Sequence, residues 1–435
     1  MVEKTATGDS TRTRWWILAF VSLLMFGNYY VYDSIAPLAE QLERELGFSD
    51  TEIGALNAIY SLPNIFLVLI GGLIVDRFGA SRVTLCTTAI CLAGAILTAW
   101  QGSFVTMAAG RLLFGIGAET MLVAVTVALG IWFARGGVAF AMALSLAIAR
   151  GGSYVADLSP VWAGSIYDRG WQEPLILAAG FAALSMFFAI VYWWVDKSGT
   201  PPKPLTEAPL VTEKVRWQDV ARFGRSFWYI LALCVLFYSV IFPFRSTFAI
   251  KYFQHAHELS LESAALLNSY VFLAAIFATP LFGWIADRYG RRALSMVFGS
   301  LLLPLSFVGV VIGAGGLWLT TVLLGISFSL IPAVLWPSVV KLVEASRLGT
   351  AYGLLFMMQA AGMTLANLVA GWLNDVGGAG ADNPAGYTPM IIFFAALSLG
   401  AFFFALALWR RETGPQNHGL ELPGGAIPVP IRELV

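Results

Sequence analysis

Apolar residues in this chain gather into long runs separated by short polar breaks. Twelve such runs fall at roughly 15–38, 51–75, 82–100, 104–133, 137–165, 173–195, 226–253, 261–285, 293–313, 316–341, 349–373 and 387–409. Most reach the roughly 20 residues that a helix needs to cross about 30 Å of hydrocarbon. The pattern therefore predicts an all-α integral membrane protein of twelve transmembrane helices, called spans 1 to 12 here. Proline inside the runs (Pro63, Pro160, Pro243, Pro280, Pro332, Pro337) fits that reading, because neighbouring helices re-satisfy the backbone groups it frees.

One polar break recurs. Gly72-Leu-Ile-Val-Asp-Arg-Phe-Gly-Ala-Ser-Arg82 follows span 2, and Gly283-Trp-Ile-Ala-Asp-Arg-Tyr-Gly-Arg-Arg292 follows span 8, 211 residues later. At the same offset Asn57 falls on Asn268 and Ser49 on Ser260. A turn repeated in register at half-chain spacing marks an internal duplication. Two pseudo-symmetric six-helix bundles are expected, 15–195 and 226–409, joined by a polar, proline-containing linker at 196–225. Within the linker Trp217–Arg222 is expected to lie on the membrane as a short helix. Residues 1–14 and 410–435 read as polar tails, the second disordered.

Composition agrees: 58% of the residues are hydrophobic and 12% charged, far below the quarter or so charged in a soluble domain. A net charge of zero argues against a nucleic-acid partner. The distribution of charge says more. With the N-terminus in the cytosol and alternating spans, cytosolic segments hold 20 of the 26 Lys and Arg residues, which places both termini inside. No cleavable signal peptide is expected, since the first run is too long and no small-residue cleavage site follows. Cys86, Cys91 and Cys234 lie within apolar runs and read as buried hydrophobes. The three histidines lie outside the spans, His255-x-His257 reads as a solvated pair and no nucleotide loop is present. The chain is accordingly read as neither an enzyme nor a metal or cofactor carrier.

Three arginines and three acids remain inside the membrane, away from the polar loops and the outermost turns of the spans: Arg111, Arg150, Arg245, Asp33, Glu119 and Asp157. A charge at a helix centre costs about 2.5–3.5 kcal/mol or more, so each needs a partner or a water-filled cavity. Tyr29 and Tyr32 share a face of span 1 with Asn28, and Asn57, Tyr60 and Asn64 form a stripe along span 2, both expected to face the interior. Glu119 on span 4 and Arg150 on span 5 reach similar depth. Either they neutralise one another, or they are held apart to bind a zwitterion, the guanidinium taking a carboxylate and the glutamate an ammonium. Arg111 and Asp157 are expected to form a structural ion pair between spans 4 and 5. Asp33 and Arg245 are expected to meet across the halves when the outer side closes. On the cytosolic side Asp76 and Asp287 should approach the starts of spans 11 and 5 at Gly349 and Gly137, where a helix N-terminus favours an acid. Arg77, Arg82 and Arg288 complete those two gating loops.

The repeated turn resembles the signature loop of the major facilitator superfamily. Further stretches resemble its lysosomal dipeptide-exporter branch: Tyr29-Tyr-Val-Tyr-Asp33, Tyr60-Ser-Leu-Pro-Asn64, Gly110-Arg-Leu-Leu-Phe-Gly-Ile-Gly-Ala-Glu119, Ala149-Arg-Gly-Gly-Ser153, Phe242-Pro-Phe244, Leu335-Trp-Pro337 and Leu348-Gly-Thr-Ala-Tyr-Gly353. The resemblance implies a uniporter of small peptides working by alternating access. In it Glu119 takes the position that binds the peptide amine and Arg150 the position that binds the carboxylate. Tyr29, Tyr32, Tyr60, Asn268, Trp336 and Gln359 match cavity positions. Ala80-Ser81 stands where a basic pair is usual, and Asp157 and Arg245 have no expected counterpart in the branch. The loops are short, no Asn-x-Ser/Thr site occurs, and no acidic dileucine sorting signal is present. A bacterial relative in the plasma membrane is therefore expected, with a lysosomal protein the alternative. It is expected to act as a monomer without an accessory subunit. Transport of small organic anions through Arg150 alone is the second reading, and a non-transporting sensor on the same fold the third.

Overall fold

The computed structural model describes residues 3–134, 136–199, 220, 222–313 and 316–423. Most of the expected linker, four of the six residues of the Trp217–Arg222 segment and the tail beyond 423 lie outside the described residues. The helices are α1 (Glu3–Asp33), α2 (Ala39–Leu46), α3 (Asp50–Ser61), α4 (Asn64–Phe78), α5 (Ala80–Trp100), α6 (Phe104–Trp132), α7 (Val138–Asp157), α8 (Gln172–Ser198), α9 (Arg225–Pro243), α10 (Ala249–His257), α11 (Leu261–Tyr289), α12 (Arg292–Ile312), α13 (Leu317–Leu342), α14 (Leu348–Gly377) and α15 (Thr388–Glu412). Among the described residues ten helical units are long and apolar enough to cross a membrane. An eleventh is the α3–α4 pair, whose Asp50–Leu67 and Ile70–Phe78 parts are bent by 68°. The twelfth is α7: its 20 residues reach about 30 Å at 1.5 Å per residue.

The two halves repeat the same pairings. In the first half α1 packs on α7 and α8, and α5 on α6 and α8; in the second α9 packs on α14 and α15, and α12 on α13 and α15. The halves meet where α3 lies along α14 and α7 along α11. The signature turns end α4 and α11 in the same way. Gly79 (φ 85°) and Gly290 (φ 69°) adopt a backbone that an L side chain disfavours, and their N–H groups return to Val75 and Ala286. At the starts of α3 and α11, Ser49 forms a full capping box with Glu52, and Ser260 accepts from the Ser263 N–H at 3.3 Å. These hydroxyls satisfy donors that a helix start leaves unpaired.

Two expectations about the tails are corrected. α1 begins at Glu3, inside the expected N-terminal tail. At the other end residues 413–423 fold back over the second signature turn. Arg291 N–H donates to Glu421 O at 3.1 Å, Arg292 N–H to Leu420 O at 3.0 Å, and Lys341 Nζ to Gly419 O at 3.0 Å. Leu420 is fully buried. The physical reason is the exposed start of α12, whose unpaired N–H groups need acceptors; the Glu421 carboxylate supplies one to Leu294 at 3.0 Å.

The end of the bundle that carries α2 and the starts of α3 and α11 is called the far end, and the opposite one the termini end. At the far end α3 and α14 touch backbone to backbone. A Cβ on Gly371 would stand 2.7 Å from the Asp50 carbonyl carbon, closer than real Cβ atoms come. Gly371→Val should therefore push α3 from α14 and open the far end. Spin-label distances across it should lengthen; an unchanged distribution would count against this packing as a determinant of closure.

Candidate functional site

At mid-membrane, polar groups of the first half face aromatic groups of the second. Tyr60 donates its hydroxyl to Glu119 Oε1 at 3.1 Å. Arg150, 7% exposed, donates Nη1–H to Thr279 Oγ1 at 2.6 Å across the halves, and its guanidinium lies 4.9 Å from the Phe328 ring. Glu119 and Arg150 thus each hold an uncharged partner, and no ion pair joins them. Tyr29, half-buried on α1, lies within electrostatic reach of both.

Aromatic rings connect the two charges. Tyr32 lies 4.6 Å from Tyr60 and 6.2 Å from Phe242. Phe242 in turn lies 5.8 Å from Tyr238 and 5.6 Å from Phe328. Trp336 donates Nε1–H to the Tyr238 hydroxyl at 3.0 Å and stacks on Phe356 at 4.6 Å. Gln359 is half-buried, with Cys234 Sγ 3.8 Å from its Oε1. Rings of this kind offer a tolerant apolar surface, with hydroxyl and indole donors at its edges.

At the far end the halves are tied by charge. Arg245 Nη1 lies 2.7 Å from Asp33 Oδ1, and Nη2 lies 2.6 Å from Asp157 Oδ2; all three side chains are 1% exposed or less. Phe272 covers the guanidinium at 3.8 Å. Nearer the surface Lys251 pairs with Asp50 and Glu43, and Gln254 with Glu40. Asp375 of α14 accepts from the Asp50 and Thr51 N–H groups at 2.8 and 2.9 Å, a carboxylate from one half on the helix N-terminus of the other. At the termini end Asp76, Arg77, Arg82 and Arg288 are exposed, and Asp287 pairs with Arg292 of its own turn at 2.7 Å. Among the described residues, neither signature carboxylate accepts a hydrogen bond from the first N–H groups of an opposing helix in this state.

Two expected roles are corrected. Arg111 and Asp157 do not pair. Arg111 donates to the Val31 and Tyr32 carbonyls at 3.2 and 3.1 Å and to Asn57 Oδ1, because α1 ends at Asp33 and leaves its last carbonyls without helical donors. Asp157 is taken by Arg245 instead. Asn268, expected in the cavity, is 1% exposed and donates to the Arg245 carbonyl at 3.2 Å. Its repeat partner Asn57 donates to the next carbonyl, Ser246 O, at 2.9 Å. The two asparagines hold the π-helical turn Phe244–Phe248 that follows Pro243. That turn, a form often found at functional sites, swings Arg245 between Asp33 and Asp157. Sequence reasoning missed it, together with Thr279 and Phe328; Pro243 beside an intramembrane arginine was the one available signal.

A model of the Major Facilitator Superfamily matches residues 18–254 and 243–434. The chain belongs to the Major Facilitator Superfamily, a family of membrane transporters, and is a multi-pass membrane protein of that fold. It is 30% identical to the lysosomal dipeptide transporter MFSD1 of Danio rerio over 90% of this chain and 86% of that protein. It is 28% identical to the Homo sapiens protein of the same name over 92% of this chain and 88% of the other. Among solved structures the nucleoside transporter NupG superposes with a TM-score of 0.72 at 16% identity, covering 91% of this chain and 99% of that one. That last likeness concerns the fold alone.

Proposed function

We propose that the protein transports dipeptides as a uniporter by alternating access. A bound dipeptide lies between the halves, its ammonium on Glu119 and its carboxylate on Arg150. The observation that carries this reading is the separation of the two charges. Each is engaged by a hydroxyl, Tyr60 or Thr279, a weaker partner than an oppositely charged ligand group. An extended dipeptide separates its charged ends by about 6–7 Å at 3.3–3.6 Å per residue, which suits two charges held apart. The relationship to dipeptide transporters over 90% of the chain supports the substrate class.

On this reading both termini lie in the cytosol of a plasma membrane, an orientation that the positive-charge bias supports. The far end is then external, and the far-end ties describe an inward-facing state. In the outward-facing state Asp76 and Asp287 would dock on the starts of α14 and α7. The transporter works as a monomer on this reading.

Uptake into proteoliposomes tests it. A labelled free dipeptide should equilibrate, without an imposed ion gradient, into vesicles that contain the protein and not into empty ones. Carriage of a monocarboxylate with no carriage of any dipeptide in a panel would replace this reading with organic-anion transport.

A further inference from the structure

Where α15 leaves the bundle, a groove of about 510 Å³ opens beside α9. Its wall is made by Tyr229, Phe403 and Leu406, and its mouth by Arg410, Arg411 and the turn at Gly414. Phe403 is 63% exposed and lies about two turns up α15 from Arg410, so the wall faces hydrocarbon while the arginines stand at headgroup level. The acid nearest in sequence does not pair with them directly. Glu412 is 3% exposed, and its carboxylate is taken by Ser226 Oγ at 2.9 Å and by the His418 N–H at 2.8 Å. Ser226 Oγ also accepts Arg411 Nε–H at 3.1 Å, which orients that guanidinium; it makes no other hydrogen bond among the described residues. Arg410 is exposed and its side chain makes no hydrogen bond or ion pair among them. Two cations, one of them held in place, thus border an apolar groove at membrane depth, and among the described residues no acid pairs directly with either.

We propose that the groove seats one anionic phospholipid of the leaflet on the termini side. Its phosphate lies between the two guanidiniums, whose planar forks match phosphate oxygens, and an acyl chain runs along Phe403 and Leu406. A zwitterionic lipid gains the same apolar contact but carries its own cation to the arginines. Inorganic phosphate meets the arginines and gains nothing from the wall. Each arginine near an anionic headgroup contributes on the order of a five-fold gain in affinity.

Native mass spectrometry of the full chain in detergent tests this, with titrations of phosphatidylglycerol, phosphatidylcholine and inorganic phosphate. The wild type should retain one phosphatidylglycerol more tightly than phosphatidylcholine. Arg410→Gln should weaken phosphatidylglycerol about five-fold and leave phosphatidylcholine unchanged. Arg411→Lys, which keeps the charge, should retain most of the preference. The proposal is overturned if Arg410→Gln binds phosphatidylglycerol as the wild type does, or if phosphatidylcholine binds equally well. It is also overturned if inorganic phosphate at the lipid's concentration displaces the lipid.

Discussion

Arg245→Ala should convert a far-closed transporter into one that is open at the far end. The guanidinium lies 2.7 Å from Asp33 and 2.6 Å from Asp157, and it comes from the second half while both acids come from the first. Its removal leaves two carboxylates buried without their cation, which costs about 3–5 kcal/mol. That is enough to shift a two-state balance by roughly two to four powers of ten. The closed state bears the whole cost, because separation of the halves lets the carboxylates meet water. Distances between spin labels across the far end should lengthen accordingly. Removing all three charges, in Arg245→Met/Asp33→Asn/Asp157→Asn, should recover much of the closed population, since a complete replacement of a buried ionic group is often close to neutral. A single variant that stays closed would show that Arg245 does not govern the far end. In the same experiment Asp157→Ala should couple to Arg245→Ala and add independently to Arg111→Ala.

The second large effect concerns the two charges at mid-membrane. Arg150→Ala removes the only cation facing the aromatic wall of Phe242, Phe328 and Trp336 among the described residues, and should abolish recognition of a free carboxyl terminus. Glu119→Gln keeps the shape and the Tyr60 contact but loses the negative charge, so it should lose amines while sparing simple carboxylates. Truncating one partner of a buried charged pair costs about 2–5 kcal/mol, a loss of roughly thirty-fold or more in affinity. Isothermal titration with a free dipeptide measures both variants. Glu119→Gln that binds dipeptides like the wild type would remove the ammonium from the account.

How much of this could be read from the sequence follows from which constraints act along a single helix. A span must hold about 20 apolar residues whatever surrounds it, so the twelve runs and their duplication are plain in the chain. Depth is equally local, which is why Glu119 and Arg150 could be assigned a similar depth from counts along two helices. Adjacency between helices is not local. Arg111 and Asp157 have similar depth, yet Arg111 faces the carbonyls at the end of α1. Arg245 reaches Asp157 because the π turn after Pro243 rotates it there, a twist that depth along a helix does not encode. Asn268 was matched to the cavity by resemblance alone, and only the π turn gives it a carbonyl to satisfy. Thr279 and Phe328 carry no signal of their own, since a threonine and a phenylalanine in a membrane helix are ordinary. The ordered tail was hidden for a similar reason: residues 413–423 are polar enough to read as solvated, and their partner is a helix start nearly 130 residues away in the chain.

The most direct test of the central claim is binding of end-blocked substrates to the purified wild-type protein. A free dipeptide, its N-acetylated form, its C-terminal amide and a plain monocarboxylate are titrated side by side. Recognition of both termini predicts that each single block weakens binding by roughly thirty-fold or more, and that the monocarboxylate binds weakly. An N-acetylated dipeptide or a monocarboxylate that binds as tightly as the free dipeptide would contradict it and leave Arg150 alone as an anion site.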